Sequence, residues 1–314
     1  MTHNIIPHIP VLFDEVIDTF KDLKDGYIID CTLGYGGHSL GILENNKDIK
    51  LICNDQDDEA LNFSKLRLEK YKDRIIFNKG NFKDVIEKFK DKNIVGILAD
   101  IGVSSLQLDK NERGFGFSSS TLDMRMDQNQ ELNASTIINE YSLNQLEKIF
   151  KEYGEVKEYK KVASLIIQNR PFSSSKELAE FLSKNMYKGK LHPATLPFQG
   201  IRIAVNNELG VLEELFNQIE DANFKNTTVA IISFHSLEDR IVKNYFKKWT
   251  KKCICPPHLD RCECGNNHQK GKNLTKKPII PTLKEIKQNA RSRSSKMRIF
   301  QFEKGKFESD RFDS

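Results

Sequence analysis

No apolar run in this 314-residue chain is long enough to span a bilayer; stretches such as "VAII" at 229–232 stop far short. The opening "MTHNIIPHIP" lacks the basic start and apolar core of a secretory leader, so a soluble, cytoplasmic protein is expected. Internal repeats are absent, which leaves no basis for a solenoid. In "DCTLGYGGHS" (30–39) the closing glycine of a dinucleotide fingerprint is missing. Gly34 and Gly36 are followed by Ser39, where the dinucleotide fingerprint G-x-G-x-x-G ends on glycine. That spacing disfavours a nicotinamide-dependent oxidoreductase. Between about 107 and 205 there is also no run suited to a buried strand.

What is present reads as an alternation. Apolar runs at 27–31, 50–54, 74–78 and 95–101 predict strands. Helices are expected between them, around 38–45, from Asp57 with Ala60, Phe63, Leu66 and Leu68 inside, and over 82–90. Such alternation implies a parallel sheet with helices on both faces. Helical periodicity then fills 133–169, and "SSKE" (174–177) has the capping-box pattern ahead of a further helix. A helix over 198–221 is expected to break or bend at Gly200 or Gly210. Strand signal returns at "TTVAIISFHS" (227–236), followed by a helix over "SLEDRIVKNYFKKW" and a last strand at 297–302. The domain reading is an α/β domain over 1–106 and 206–303, with a helical insertion over 107–205 for substrate recognition. A basic, Cys-containing loop covers 250–280, and 304–314 reads as a frayed tail.

The net charge of +5 is unevenly spread. Lys243 to Arg298 holds sixteen Lys or Arg against three acids, about +13, so the remainder is about −8. A basic segment of this kind suits a polyanionic partner. Of six cysteines, Cys31 and Cys53 fall at strand ends as core thiols. The other four form "CICPPHLDRCEC": Cys253, Cys255, Cys262 and Cys264. In a cytosolic chain two Cys-x-Cys pairs favour metal over disulfides, and a structural tetrathiolate zinc is weighed against a redox or purely structural loop.

Acids stand at successive predicted strand ends: Asp30, Asp55 and Asp100. Asp55 lies nineteen residues after Gly36, placed to accept from ribose hydroxyls. Three carboxylates around a glycine loop oppose a pyrophosphate and suit a cation. S-adenosylmethionine (SAM), with a sulfonium, an ammonium and one carboxylate, is such a cation.

The chain resembles the bacterial family of small-subunit rRNA methyltransferases that methylate N4 of cytosine 1402 in 16S rRNA. The stretches that carry this are "HIPVLFDEV" (8–16), "DCTLGYGGHS" (30–39), "DIGVSSLQLD" (100–109), "RGFGF" (113–117), "LDMRMD" (122–127), "HPATLPFQGIRIAVNNEL" (192–209), "SFHSLEDRIVK" (233–243) and "ARSRSSKMR" (290–298). The resemblance implies a Rossmann-like class I SAM-dependent methyltransferase, with a mostly parallel seven-stranded sheet and an inserted all-α subdomain. It implies SAM contacts at Gly36, Gly37, His38, Asp55, Phe82, Asp100 and Gln107. Its partner would be 16S rRNA within the 30S subunit, with no membrane. The oligomeric state is left open, a homodimer among the options. Two positions depart from the family pattern: Leu196, usually basic, and Gly116, commonly serine.

The chemistry expected is in-line transfer of the methyl group to the cytidine exocyclic amine. Many amino-methyltransferases place a Pro-Pro-aromatic motif after the fourth strand; here the position reads Asp100-Ile101-Gly102-Val103. Asp100 and His235 are therefore the candidates to handle the amine and its proton. Phe115, Phe117, Phe198 and Phe234 are the candidates to stack the base. Arg291, Arg293, Lys296 and Arg298 are the expected RNA contacts, with Arg125 held in a salt-bridged loop between Asp123 and Asp127. A DNA amino-methyltransferase and a non-catalytic RNA-binding protein are the alternatives.

Overall fold

The computed structural model describes residues 10–103, 107–108, 110–187, 189–256, 258–259 and 261–303. The expected tail over 304–314 lies outside them. The chain divides into two compact units, Met1–Gly102 with Val211–Ser314, and Val103–Gly210.

The first unit is built on a seven-stranded sheet. Its strands are β1 (Gly26–Asp30), β2 (Ile49–Asp55), β3 (Ile75–Lys79), β4 (Ile94–Asp100), β5 (Thr228–Ser233), β6 (Gly271–Asn273) and β7 (Lys296–Phe302). Their order is β3-β2-β1-β4-β5-β7-β6. Strands β1 to β5 pair in parallel, and β7 runs antiparallel to both β5 and β6. The central strands read as unbroken apolar runs because both faces are covered. One face packs Ile29, Ile52, Ile97 and Val229 beneath Val85, Leu215, Phe216, Phe246 and Trp249. The other packs Ile28, Leu51, Leu98 and Ala230 beneath Val16, Phe20, Ile42 and Leu61.

Register sets the site. Asp30, last in β1, is level with Cys53 of β2 and Leu98 of β4. Both neighbours run two residues further, so Asp55 and Asp100 flank the loop that leaves β1. The strand order reverses at β1, the switch point where open α/β sheets bind ligands.

Within the second unit every regular element among the described residues is helical. Helices Ala134–Glu140, Leu143–Lys148, Tyr159–Asn169, Ser175–Asn185 and Thr195–Asn206 surround Ile138, Phe150, Ile166, Leu182 and Ile201. Ser174 caps its helix by accepting from the Glu177 N–H at 3.1 Å.

Several local expectations are corrected. The long helix breaks at Asn207, not at a glycine: Asn207 sits at φ 48, ending Thr195–Asn206 before Glu208–Asp221 begins. A short amide side chain tolerates this left-handed backbone. Leu66 is 81% exposed, and the helix Asp58–Arg67 instead buries Ala60, Leu61 and Ser64. The stretch over 82–90 splits into a 3-10 turn, Phe82–Asp84, and a short helix, Val85–Phe89.

Candidate functional site

The loop after β1 is fixed by bonds that its sequence makes local. Gly34 and Gly36 take positive φ, 51 and 70, where a side chain would be strained. The Gly34 N–H donates to Asp55 Oδ2 at 2.8 Å, and Asp55 Oδ1 accepts from the Asp57 N–H at 2.9 Å. The helix Asp58–Arg67 ties down the loop's carbonyls, Ser64 Oγ bonding Gly34 O at 2.7 Å and Arg67 bonding Tyr35 O at 2.9 Å. A Cβ on Gly37 would lie 2.4 Å from Pro10 Cγ, so only glycine permits this approach. The helix Gly37–Asn45 follows at once, its first N–H groups directed at the loop mouth.

The residue in the third-glycine position has a purpose that its spacing did not reveal. Ser39 is fully buried and donates from Oγ to Asp30 Oδ2 at 2.6 Å, while the Thr32 N–H donates to Asp30 Oδ1 at 3.2 Å. Asp30 is therefore spent inside the loop, a buried charge beneath the site. Burial pushes its carboxyl up to about 6, against the pull of the Ser39 and Thr32 bonds.

Asp55 is likewise raised by burial to about 6. Asp100 rises further, to about 8, through burial first and then the nearby charges of Asp30 and Glu238. Its Oδ1 is buried without a hydrogen-bond partner, an arrangement that costs free energy until a donor or cation arrives. Its backbone N–H is held by Thr32 Oγ1 at 2.7 Å. His38 Nδ1 lies 3.8 Å from Asp100 Oδ2, and Nε2 donates to the Val11 carbonyl at 2.9 Å. Burial lowers this imidazole to about 4, so it is neutral at pH 7 and its Nδ1 lone pair faces Asp100. His38 is thus a buried wall of the site beneath the Phe13 ring, 6.5 Å away. Phe82 is half-buried beyond β3, resting on the sheet core. Gln107 is buried in the second unit.

The end of β5 carries a second cluster. His235 caps the helix Ser236–Trp249: Nδ1 accepts from the Glu238 N–H at 3.4 Å, and Glu238 Oε2 accepts from the Phe234 N–H at 2.8 Å. With Nδ1 accepting, Nε2 carries a proton and lies 3.0 Å from Glu238 Oε1 but out of hydrogen-bond alignment. The H-x-x-E spacing in "HSLE" was the available signal for this reciprocal cap. Phe234, His235, Ile280, Arg293 and Lys296 line a cavity of about 320 Å³. Two of the expected RNA contacts and the expected catalytic histidine thus meet around one space.

Arg298 does not join them. It is buried, and its guanidinium grips Asp239 in two bonds of 2.7 and 3.1 Å. The RNA-contact expectation for Arg298 is corrected: it fastens β7 to the helix after β5. Arg291 is exposed. Arg125 is held by Asp123 through bonds of 2.9 and 2.8 Å. Of the candidate stacking rings, Phe115 and Phe198 lie in the core of the second unit. Phe117 is 39% exposed and stacks on His192 with centroids 4.7 Å apart.

A doubly covered sheet of this order, with carboxyls at the ends of β1, β2 and β4 around a glycine loop, defines a class I methyltransferase. The MraW methylase family matches residues 5–303, and the chain belongs to it. It is 72% identical over 298 residues to the ribosomal RNA small subunit methyltransferase H of Aliarcobacter butzleri, covering 95% of this chain and 99% of that one. To the protein of the same name from Sulfurimonas denitrificans it is 55% identical, covering 95% and 99%. The solved structure of an rRNA methylase from Streptococcus thermophilus aligns over 95% of this chain and 99% of that one, at 9% identity and a TM-score of 0.40. Among the described residues, no helix is long and apolar enough to cross a membrane.

Proposed function

We propose that this chain transfers the methyl group of SAM to N4 of cytosine 1402 of 16S rRNA, acting on the 30S subunit. The observation that carries the donor half is the trio Asp30, Asp55 and Asp100, all raised by burial and so all eased by a cation. The acceptor half rests on membership of the family and on the names of the relatives, both of which are rRNA methyltransferases by name.

When bound, SAM supplies an electrophilic methyl group carried on a sulfonium. The N–H groups at Gly37 and His38 receive its carboxylate at a helix N-terminus. Asp55 spends one lone pair per oxygen on backbone N–H groups and keeps the others for ribose hydroxyls. Phe82 offers its open face to the adenine, and the second unit serves substrate recognition. Asp100, its Oδ1 unpartnered, accepts a hydrogen of the exocyclic amine and so returns electron density to a poor nucleophile. His235 positions the β5 end through its cap and offers Nε2–H as a donor. Arg293 and Lys296 supply phosphate contacts at the cavity beside it, where Phe234 can stack a base. Phe117 on His192 gives the second unit an aromatic platform of its own. Catalysis is then mainly positioning.

Methyl transfer from tritiated SAM to 30S subunits, with duplex DNA in parallel and nucleoside analysis of the product, tests this. N4-methylcytidine from the 30S arm is expected. Label on the duplex alone, or no transfer to either, refutes it.

A further inference from the structure

The four clustered cysteines leave the methyl-transfer site untouched, yet they converge. All four Sγ atoms of Cys253, Cys255, Cys262 and Cys264 lie within 4.8 Å of one another. Cys262 and Cys264 are 3.6 Å apart, and Cys264 and Cys253 are 3.7 Å apart. A tetrahedral metal with bonds of about 2.3 Å to sulfur sets S···S edges of about 3.8 Å. A disulfide would need a separation of about 2.05 Å, far shorter than either.

The backbone supports the same arrangement. The Ile254 N–H, inside the first Cys-x-Cys arm, points at Cys264 Sγ at 3.4 Å. The Glu263 N–H, inside the second, points at Cys255 Sγ at 3.3 Å. Each arm thus solvates a sulfur of the other, the pattern that stabilises thiolates and orients metal ligands. The base of the loop is fastened: His268 N–H donates to Lys252 O at 3.0 Å, His268 Nε2 to Cys264 O at 2.8 Å, and Lys270 N–H to the carbonyl of buried Trp249 at 2.8 Å. Among the described residues the tip has no core of its own. Ile254 is 58% and Leu259 37% exposed, so apolar burial does not account for the convergence of the sulfurs. A loop with so little to bury needs a staple.

We propose that Cys253, Cys255, Cys262 and Cys264 bind one zinc ion as a closed, structural tetrathiolate. Binding exchanges four S–H protons for four Zn–S bonds, releases the protons to solvent and leaves a centre of net charge −2. Lys251, Lys252 and Arg261, exposed beside the ligands in sequence, oppose that charge. The staple fixes the shape of a basic loop, independently of the methyl donor's site.

The full chain, purified anaerobically without an affinity metal, is assayed by elemental analysis. About one zinc per chain is expected. Cobalt(II) exchanged into the wild-type protein should give the intense visible bands of a tetrahedral thiolate site, a readout that no variant's folding can spoil. Cys262→Ser and Cys255→Ser should each weaken zinc about 100-fold or more against a chromogenic chelator. Three results overturn the assignment: iron in place of zinc in the isolated protein; a mass four hydrogens light, marking two disulfides; or four titratable thiols in the native protein that persist after anaerobic incubation with zinc, Cys31 and Cys53 being buried.

Discussion

The carboxyl at Asp100 makes the affinity for SAM a function of pH. With its pKa near 8, it is about half ionised at pH 8 and about one part in a hundred ionised at pH 6. If the ionised form is what a cation meets, affinity should fall about 50-fold across those two units, about 2 kcal/mol. Asp30 and Asp55, each near 6, add to the decline only toward the acid end. Titration calorimetry from pH 6 to 9, in buffers of differing ionisation enthalpy, reads both the affinity and the protons released on binding. Release of about half a proton at pH 8, rising toward one at pH 7, is expected. Asp100→Asn should bind more weakly at pH 8, with the steepest part of the pH profile gone. An affinity for the wild type that is flat between pH 6 and 8 refutes the reasoning. The same group bears on stability with a definite sign. Its folded pKa lies above the unfolded value, so the stability it contributes is full below about pH 4 and is lost as pH rises through 8. Thermal melts without ligand should therefore show Asp100→Asn gaining on the wild type as pH is raised from 5 to 8.

Arg298→Ala takes both guanidinium bonds from the part-buried Asp239, which has Lys296 Nζ 3.7 Å away, and should cost about 2 kcal/mol in urea unfolding. Arg293→Ala should leave that transition unmoved while weakening 16S rRNA binding and lowering the salt slope by about one in filter assays. Ser39→Ala deprives Asp30 of its hydroxyl donor and should destabilise the fold by about 1–2 kcal/mol by the same urea assay. Gly37→Ala drives a Cβ into Pro10, and SAM affinity measured by calorimetry should drop at least tenfold while the rest of the fold survives.

The sheet was legible because burial on both faces turns its strands into plain apolar runs, and because Asp30, Asp55 and Asp100 end three of them. Strand β6 was not: Gly271, Lys272 and Asn273 carry no apolar pattern, and they pair only because β7 offers an edge. Arg298 read as an RNA contact because its partner, Asp239, lies fifty-nine residues away in sequence, and a one-dimensional count of charge cannot pair them. The sequence points to Gly200 or Gly210 because glycine is the commoner helix breaker, although asparagine, here Asn207, enters the same backbone region. In the sequence Ser39 stands out only as the glycine that is missing. Its bond to Asp30, nine residues back, shows what it is for. The meeting of His235 with Arg293 and Lys296 depends on β5 and β7 being neighbours, a fact of topology and not of spacing.

Asp30 is only 2% exposed, sealed beneath the loop and held by Ser39 and Thr32. Its influence is a field, and a field distinguishes ligands by charge alone. Once the methyl group has left, the donor's sulfonium has become an uncharged thioether, of nearly the same shape but one positive charge poorer. The buried carboxyls then lose what they were neutralising and can take up protons from solvent. A group sealed beneath the floor of the site thereby favours the exit of spent donor over its retention, and links turnover to the acidity of the surroundings.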